Sequence, residues 1–339
     1  VANGVRYDVT PSASRLTESL RDIGYDFPSA VADIVDNSVA AGARNVAVDI
    51  EFDGTDSRVF IADDGPGMGS TALTEALRYG TRRTYQVSDL GRFGLGLKTA
   101  SLSQCRCVTV ISRTGTSNSR KAARMLDLDL VAEWDDWMIV DPGPSDRDAA
   151  RARGYLLDGP GTVVLWRDLD RVLPENRPDG GWARRRLETL AQRTAEHLAM
   201  VFHRFLEGVV GDGLTITVNG TKLSPWNPFA PDEAATLELP RQEFEVEARR
   251  MVGVVRLARF VLPSHDRFRD PEGFDRLSGP LKWNRQQGIY VYRAGRLVQW
   301  GGWAGIRAID EHTKLARAAL EFDTDLDDLF NINVSKMRV

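Results

Sequence analysis

The sequence has no run of ~20 apolar residues, the length a helix needs to cross a bilayer, and no apolar signal core near its amino terminus. The expectation is a cytoplasmic protein without membrane association. Cysteine is nearly absent: only Cys105 and Cys107 occur, as C-x-C within "SQCRCVTVIS". Two thiols do not complete a zinc site, and the pair reads as buried thiols in a reducing compartment. The four histidines carry no metal-ligand spacing, since His197 and His203 stand six positions apart and do not stack on one helix face. Net positive charge is missing as well. The formal balance is −4, which removes the global signal for nucleic acid. The basic stretches "RARGY" (Arg151 to Tyr155) and "WARRRLETLAQR" (Trp182 to Arg193) are short enough to be solvated surface. DNA or a protein client therefore stays open and unidentified. No internal repeat or low-complexity tract is present.

What is present is a globular composition, 42% hydrophobic and 27% charged over 339 residues, enough for two domains that each own a core. "VAVDIEF" places Val46, Val48, Ile50 and Phe52 on one strand face, and "RVFIADDG" is a second strand ending in a carboxylate pair. "CVTVIS" follows a short helix over 97–103, "RMLDLDL" alternates Leu126, Leu128 and Leu130 as a strand, and "GTVVLWRDL" is another. These imply a sheet with helices on one face. From Trp182 to Leu206 the spacing of Leu187, Leu190, Ala191, Thr194, Leu198, Val201 and Phe205 is helical. "LTITVNGTKL" then reads as a hairpin about Asn219 and Gly220, and "GIYVYRAGRLVQWGG" as strands about a turn at Ala294 and Gly295. The alanine-rich stretch 313–321 reads as a helix. The fold class is α+β: an α/β sandwich over 1–181, a connector helix over 182–207, and a smaller α+β domain over 208–339.

The helix "AVADIVDNSVA" collects Val31, Ile34, Val35 and Ser38 on one side and Asp33, Asp36 and Asn37 on the other. By itself the polar side is a solvated face. Two glycine motifs follow it. "DDGPGMG" sets Asp63, Asp64, Gly65, Gly67 and Met68 in a tight turn, and "GRFGLGLKTA" sets Gly91, Gly94 and Gly96 before Lys98 and a helix. Glycines ahead of a helix let backbone N–H groups point at an anion. The P-loop is excluded because Leu97 separates Gly96 from Lys98, and G-x-G-x-x-G is missing. "GPGTVVL" then brings Gly161 and Thr162 to the head of a strand.

That ordered set resembles the GHKL ATPase superfamily (gyrase, heat-shock chaperone, histidine kinases, MutL), whose Bergerat-type domain is the α/β sandwich expected here. The resemblance implies ATP and Mg²⁺ as cofactors. It places the water-activating acid at Asp33 and the Mg²⁺ ligand at Asn37. Asp63 becomes the acceptor of the adenine amino group, with Gly67 packed under the base and Thr162 supporting Asp63 through water. Gly91, Gly94 and Gly96 become lid glycines and Lys98 a phosphate-contacting cation. Gly65, Met68, Arg92, Phe93 and Leu95 complete the implied nucleotide contacts. "HLAMVFHRFLEG", "LTITVNG", "GIYVYRAGRLV" and "LFNINVSKMRV" resemble the transducer domain of MutL-like, chaperone-like and MORC-like proteins, in which Lys336 would be the cation brought to the γ-phosphate.

Two departures accompany the match. Members of the superfamily that hydrolyse ATP usually carry Glu where this chain has Asp33, one methylene shorter, so that either the helix sits nearer the water or turnover is slow. Ala40 replaces an acid near the adenine. Three functions follow from the resemblance: a slow Mg²⁺-dependent ATPase that closes as a homodimeric clamp on ATP, a nucleotide-sensing scaffold with negligible hydrolysis, and a histidine-kinase-like phosphotransferase. The last would place a phosphoacceptor His on an upstream helix, and the 32 residues before Asp33 contain no His.

Overall fold

The computed structural model describes residues 7, 9–22, 24–79, 96–116, 120–173, 178–248, 251–327 and 329–330. Helices α1 (Ala13–Arg21) and α2 (Phe27–Ala40) precede strands β1 (Asn45–Glu51) and β2 (Arg58–Asp63). Then come α3 (Ser70–Leu77), α4 (Gly96–Leu102), β3 (Cys107–Arg113), β4 (Ala122–Asp127), α5 (Leu128–Trp134), α6 (Arg147–Ala152) and β5 (Gly161–Arg167). Helices α7 (Gly181–Val201) and α8 (His203–Leu206) lead to β6 (Thr215–Val218) and β7 (Thr221–Lys222). The remainder is β8 (Leu237–Ala248), β9 (Met251–Val261), α9 (Pro271–Leu277), α10 (Lys282–Gln286), β10 (Gly288–Arg293), β11 (Arg296–Gln299) and β12 (Ala316–Phe322). Among the described residues no helix is long and apolar enough to cross a membrane.

Two sheets organise these elements into the expected mixed α+β fold. The first runs β4-β3-β5-β2-β1-β6-β7, antiparallel except where β6 lies parallel to β1. A parallel neighbour needs a long crossover, and α7 supplies it. The strands "VFIA" and "VVLW" are apolar without alternation because both faces are covered. Val59, Ile61, Val164 and Trp166 join the main core with Val31, Ile34 and Val35 of α2 and Leu187, Leu198 and Val201 of α7. Phe60, Ala62, Val163 and Leu165 form a smaller cluster with Ala149 and Ala152 of α6 on the other face. The main helical layer thus lies on one face, and α6 covers part of the second.

The hairpin 215–222, placed by its position after residue 208 with the second domain, is hydrogen-bonded into the first sheet through β1. Its turn is as expected: Asn219 and Gly220 both have positive φ, 47° and 75°, the geometry of a type I′ hairpin.

The second sheet runs β11-β10-β12-β9-β8. Its central strand β12 corrects the helix expected over 313–321: Ala316–Phe322 pairs parallel with β10 and antiparallel with β9. Alanine favours a helix in isolation, but here small side chains fit between two strands, and Ala319 and Phe322 are buried. A second correction falls at "RMLDLDL". The strand stops at Asp127, whose carboxylate accepts from the backbone N–H of Asp129 at 2.9 Å and caps α5, so Leu128 is buried from a helix.

Candidate active site

The β2 strand delivers Asp63 to the edge of α2. Ser38, one residue after Asn37, donates its hydroxyl to Asp63 Oδ2 at 2.9 Å, and the backbone N–H of Gly65 donates to Oδ1 at 3.0 Å. Asp63 is paired in register with Thr162 on β5. Beside it, Ser112 of β3 binds the Gly161 carbonyl and lies 2.9 Å from the Thr162 hydroxyl, while accepting from the backbone N–H of Met68 at 2.7 Å. Asp63, Gly65, Met68 and Thr162 therefore share one hydrogen-bonded cluster.

Gly67 closes the turn. Its φ is 69°, and an added Cβ would lie 1.9 Å from the Arg113 carbonyl oxygen. Only glycine allows this approach of the loop to β3. Burial raises the pKa of the Asp63 carboxyl against the opposing hydrogen bonds of Gly65, Ser38 and Thr162. The adjacent Asp64 faces elsewhere: it accepts from the N–H groups of Arg44 and Asn45 at 2.8 and 2.9 Å and fixes the start of β1.

Helix α2 starts on an Asp26 cap, whose carboxylate accepts from the N–H of Ser29 at 2.9 Å, with Pro28 in the first turn. Its polar side is not a solvated face. Asp33 and Asp36 are only 2% and 1% exposed, whereas Asn37 is exposed. The reason is packing: α2 is enclosed by α4 and α7 as well as by the sheet. The Tyr25 hydroxyl donates to Asp33 Oδ2 at 2.6 Å. From the second sheet, Arg296 Nε donates to Asp36 Oδ1 at 2.7 Å, and its Nη2 lies 3.6 Å from Asp33 Oδ1. A Cβ added to Gly96, where α4 begins, would sit 3.9 Å from Asp33 Oδ2.

Lys98 is buried on α4. Its ammonium donates to the Ala76 carbonyl in the last turn of α3 at 2.9 Å, a favourable place for a cation, and burial pushes its pKa down to about 8. In this conformation the side chain is directed at α3. Gly91, Arg92, Phe93, Gly94, Leu95 and Lys336 lie outside the described residues.

Of the histidines, His203 lies 2.9 Å from the Tyr292 hydroxyl, and His197 packs edge-on against Trp300. Both are held toward the neutral form by burial, His197 with a pKa of about 4.

Sequence reasoning did not select Tyr25, Ser38, Ser112 or Arg296. For Ser38 a signal existed, a hydroxyl directly after the Asp-Asn pair. Ser112 follows from strand register, since it pairs with Thr162. Nothing in the local pattern announces Arg296, which lies 260 positions from its carboxylate partner.

A mixed sheet backed by a helix that carries carboxylates to one end, with a half-buried aspartate and a glycine turn at the strand end, forms an α/β sandwich with a candidate ligand site at that end. Residues 25–152 match the family model described as histidine kinase-, DNA gyrase B-, and HSP90-like ATPase. The match supports the GHKL superfamily for this segment, and with it ATP binding. No curated protein matches the chain.

Proposed function

We propose that the protein is a Mg²⁺-dependent ATPase in which ATP binding closes two copies into a clamp and hydrolysis reopens it. The observation that carries the reading is the Ser38 to Asp63 hydrogen bond. It ties the adenine-binding carboxylate to the same helix that holds Asp33 and Asn37, so one rigid element spans the base end and the phosphate end of a nucleotide.

In this reading Asp63 accepts a hydrogen bond from the adenine amino group while Gly67 lets the backbone approach the base. Asp33 holds and deprotonates the attacking water. The lid glycines Gly91, Gly94 and Gly96, the residues Arg92, Phe93 and Leu95 between them, and Lys98 enclose the phosphates. Lys336 is proposed to bring a cation from the transducer built on the second sheet.

A Mg²⁺ ion draws most of its ligands from water and nucleotide oxygens. Among the described residues no group of three or more His, Cys, Asp or Glu could hold a metal, and Asn37 exposes a single amide. That donor set fits a metal that arrives with the nucleotide. Bound there, it would offset charge on the phosphates.

The burial of Asp33 favours a second reading, a nucleotide-gated scaffold with negligible hydrolysis, because a carboxylate 2% exposed has little room for water. Phosphate release by the purified protein with Mg²⁺-ATP, with light scattering in a non-hydrolysable analogue, tests both. Turnover with dimerisation supports the clamp ATPase. Dimerisation without phosphate release leaves the scaffold, and neither one refutes both.

A further inference from the structure

We infer that the cavity between the start of α2 and α7 is a second ligand site, built for a small organic dianion in which an apolar chain joins two oxyanion groups. The cavity holds about 470 Å³, within the range of small-molecule pockets. It stands apart from the nucleotide reading above. None of Asn37, Asp63, Gly65, Gly67 or Thr162 lines it. Tyr25 connects the two places: it forms part of the wall here, while its hydroxyl donates to Asp33 at 2.6 Å.

Four arginines and two aspartates face the cavity: Arg21, Arg171, Arg186, Arg193, Asp22 and Asp26. Most of this charge is already engaged within the protein. Arg21 is buried and donates to Asp170 at 2.6 Å and to the Leu102 carbonyl at 2.7 Å. Arg171 pairs with Asp22 at 2.7 Å, and Asp26 caps α2 through the N–H of Ser29. Arg186 and Arg193, both on α7, are different. Arg186 donates its Nε to the Val172 carbonyl at 2.5 Å and lies 5.5 Å from the Trp182 ring centroid. Among the described residues no ion pair joins either arginine to a carboxylate.

Their spacing selects the ligand. Arg186, Leu190 and Arg193 stand at i, i+4 and i+7, so they share one face of α7, and the two arginines are about 10 Å apart along its axis. All three line the cavity, and between the guanidiniums the wall is apolar, made by Leu190 with Phe27, Pro28 and Val172. An arginine fork takes a carboxylate or phosphoryl group through two parallel hydrogen bonds, and the wall between takes a hydrocarbon chain out of water. A single small anion would engage one arginine and leave the apolar wall uncovered. An uncharged ligand would gain nothing from either guanidinium.

The probes are decanedioate and octanediphosphonate, whose ends span roughly the two-turn distance on α7, with butanedioate as a dianion too short to do so. Calorimetric titration into wild type is compared with Arg186→Gln, Arg193→Gln, the double variant and Arg185→Gln. Arg185 is exposed on α7 and does not line the cavity, so Arg185→Gln removes the same charge without touching the site. A long dianion is expected to bind wild type at least ~10-fold more tightly than butanedioate. Arg186→Gln and Arg193→Gln should each weaken it ~10-fold, the scale of one charge-assisted pair, and the double variant should lose it. Arg186→Lys with Arg193→Lys should keep part of the affinity, because the charges remain and the forks are lost. Arg185→Gln should stay within about twofold of wild type.

Tighter binding of octanediphosphonate assigns phosphoryl ends to the natural ligand, and tighter binding of decanedioate assigns carboxylate ends. Absence of binding by both at millimolar concentration, equal affinity for butanedioate, or binding that survives in the double variant would overturn the inference. So would an equal loss in Arg185→Gln, which would mean attraction to the general charge of α7.

Discussion

The Tyr25 hydroxyl donates to Asp33 Oδ2 at 2.6 Å, within a site that leaves the carboxylate 2% exposed. Burial, reinforced by the charge of Asp33, raises the tyrosine pKa, so this hydroxyl remains a donor across the physiological range. Tyr25→Phe removes the donor and little else. Stability should fall by about 1.5–3 kcal/mol, as for a hydrogen bond to a charged group, and kcat should fall while ATP affinity holds. Urea unfolding and steady-state kinetics measure the two effects; wild-type values for both would show that the contact does not orient the base.

The same enclosure separates two substitutions of Asp33. Asp33→Asn keeps the shape but cannot accept a proton, so nucleotide binding should persist while turnover drops ~10²–10⁴-fold. Asp33→Glu restores the length usual in the superfamily, yet the added methylene must fit against Tyr25 and the start of α4. Overpacking of this kind costs about 1–3 kcal/mol. A folded Asp33→Glu variant of unchanged stability would mean that the carboxylate has room to extend toward a water.

How far the sequence carried this account depends on the range of the interaction. Strands β1, β2, β3 and β5 were legible because their apolar runs and alternation are local consequences of burial. The candidate site on β2 and α2 stands out in the sequence for a different reason: glycine turns and a carboxylate-bearing helix follow each other in a fixed order. Range 313–321 misled because alanine content reports intrinsic helix preference, whereas β12 exists only through its neighbours β9 and β10. The polar side of α2 looked like a surface for the same reason. Its burial is created by α4, α7 and Arg296, and no helical wheel contains them.

Lys98 provides a pH-dependent signature. Burial lowers its pKa from 10.5 to about 8, so between those values the unfolded chain binds more protons than the folded one, and Lys98 makes stability rise with pH. The contribution is complete above about 10.5 and is lost below about 8. Lys98→Met should remove that slope in denaturant titrations run across this range. If Lys98 also turns to the phosphates, ATP binding near pH 9 should take up a proton, seen as a buffer-dependent calorimetric enthalpy. No uptake would leave Lys98 on the Ala76 carbonyl in both states.

Asp63 predicts the opposite limb. Its folded pKa is raised above 3.8, chiefly by burial; the stabilisation from protonating it is full below the unfolded pKa and is lost as pH rises through the folded one. An adenine amino group needs the ionised carboxylate. ATP affinity should therefore weaken as pH falls toward that raised pKa, because the proton and the nucleotide compete for one group. Fluorescence titrations from pH 7 downward, limited to the folded range, check this; a flat affinity profile would separate Asp63 from the base.

The most direct test of an ATP site built on Asp63 is calorimetric titration of Mg²⁺-ATP into wild type and Asp63→Asn under one buffer. The amide can turn an N–H₂ toward the adenine amino group, leaving two donors opposed at a half-buried position. Wild type is predicted to bind ATP, and Asp63→Asn to bind it at least ~10-fold more weakly, a difference of about 1.4 kcal/mol, while remaining folded by circular dichroism. Affinities within about threefold of each other would contradict the assignment and with it the account of how α2 and β2 form the site.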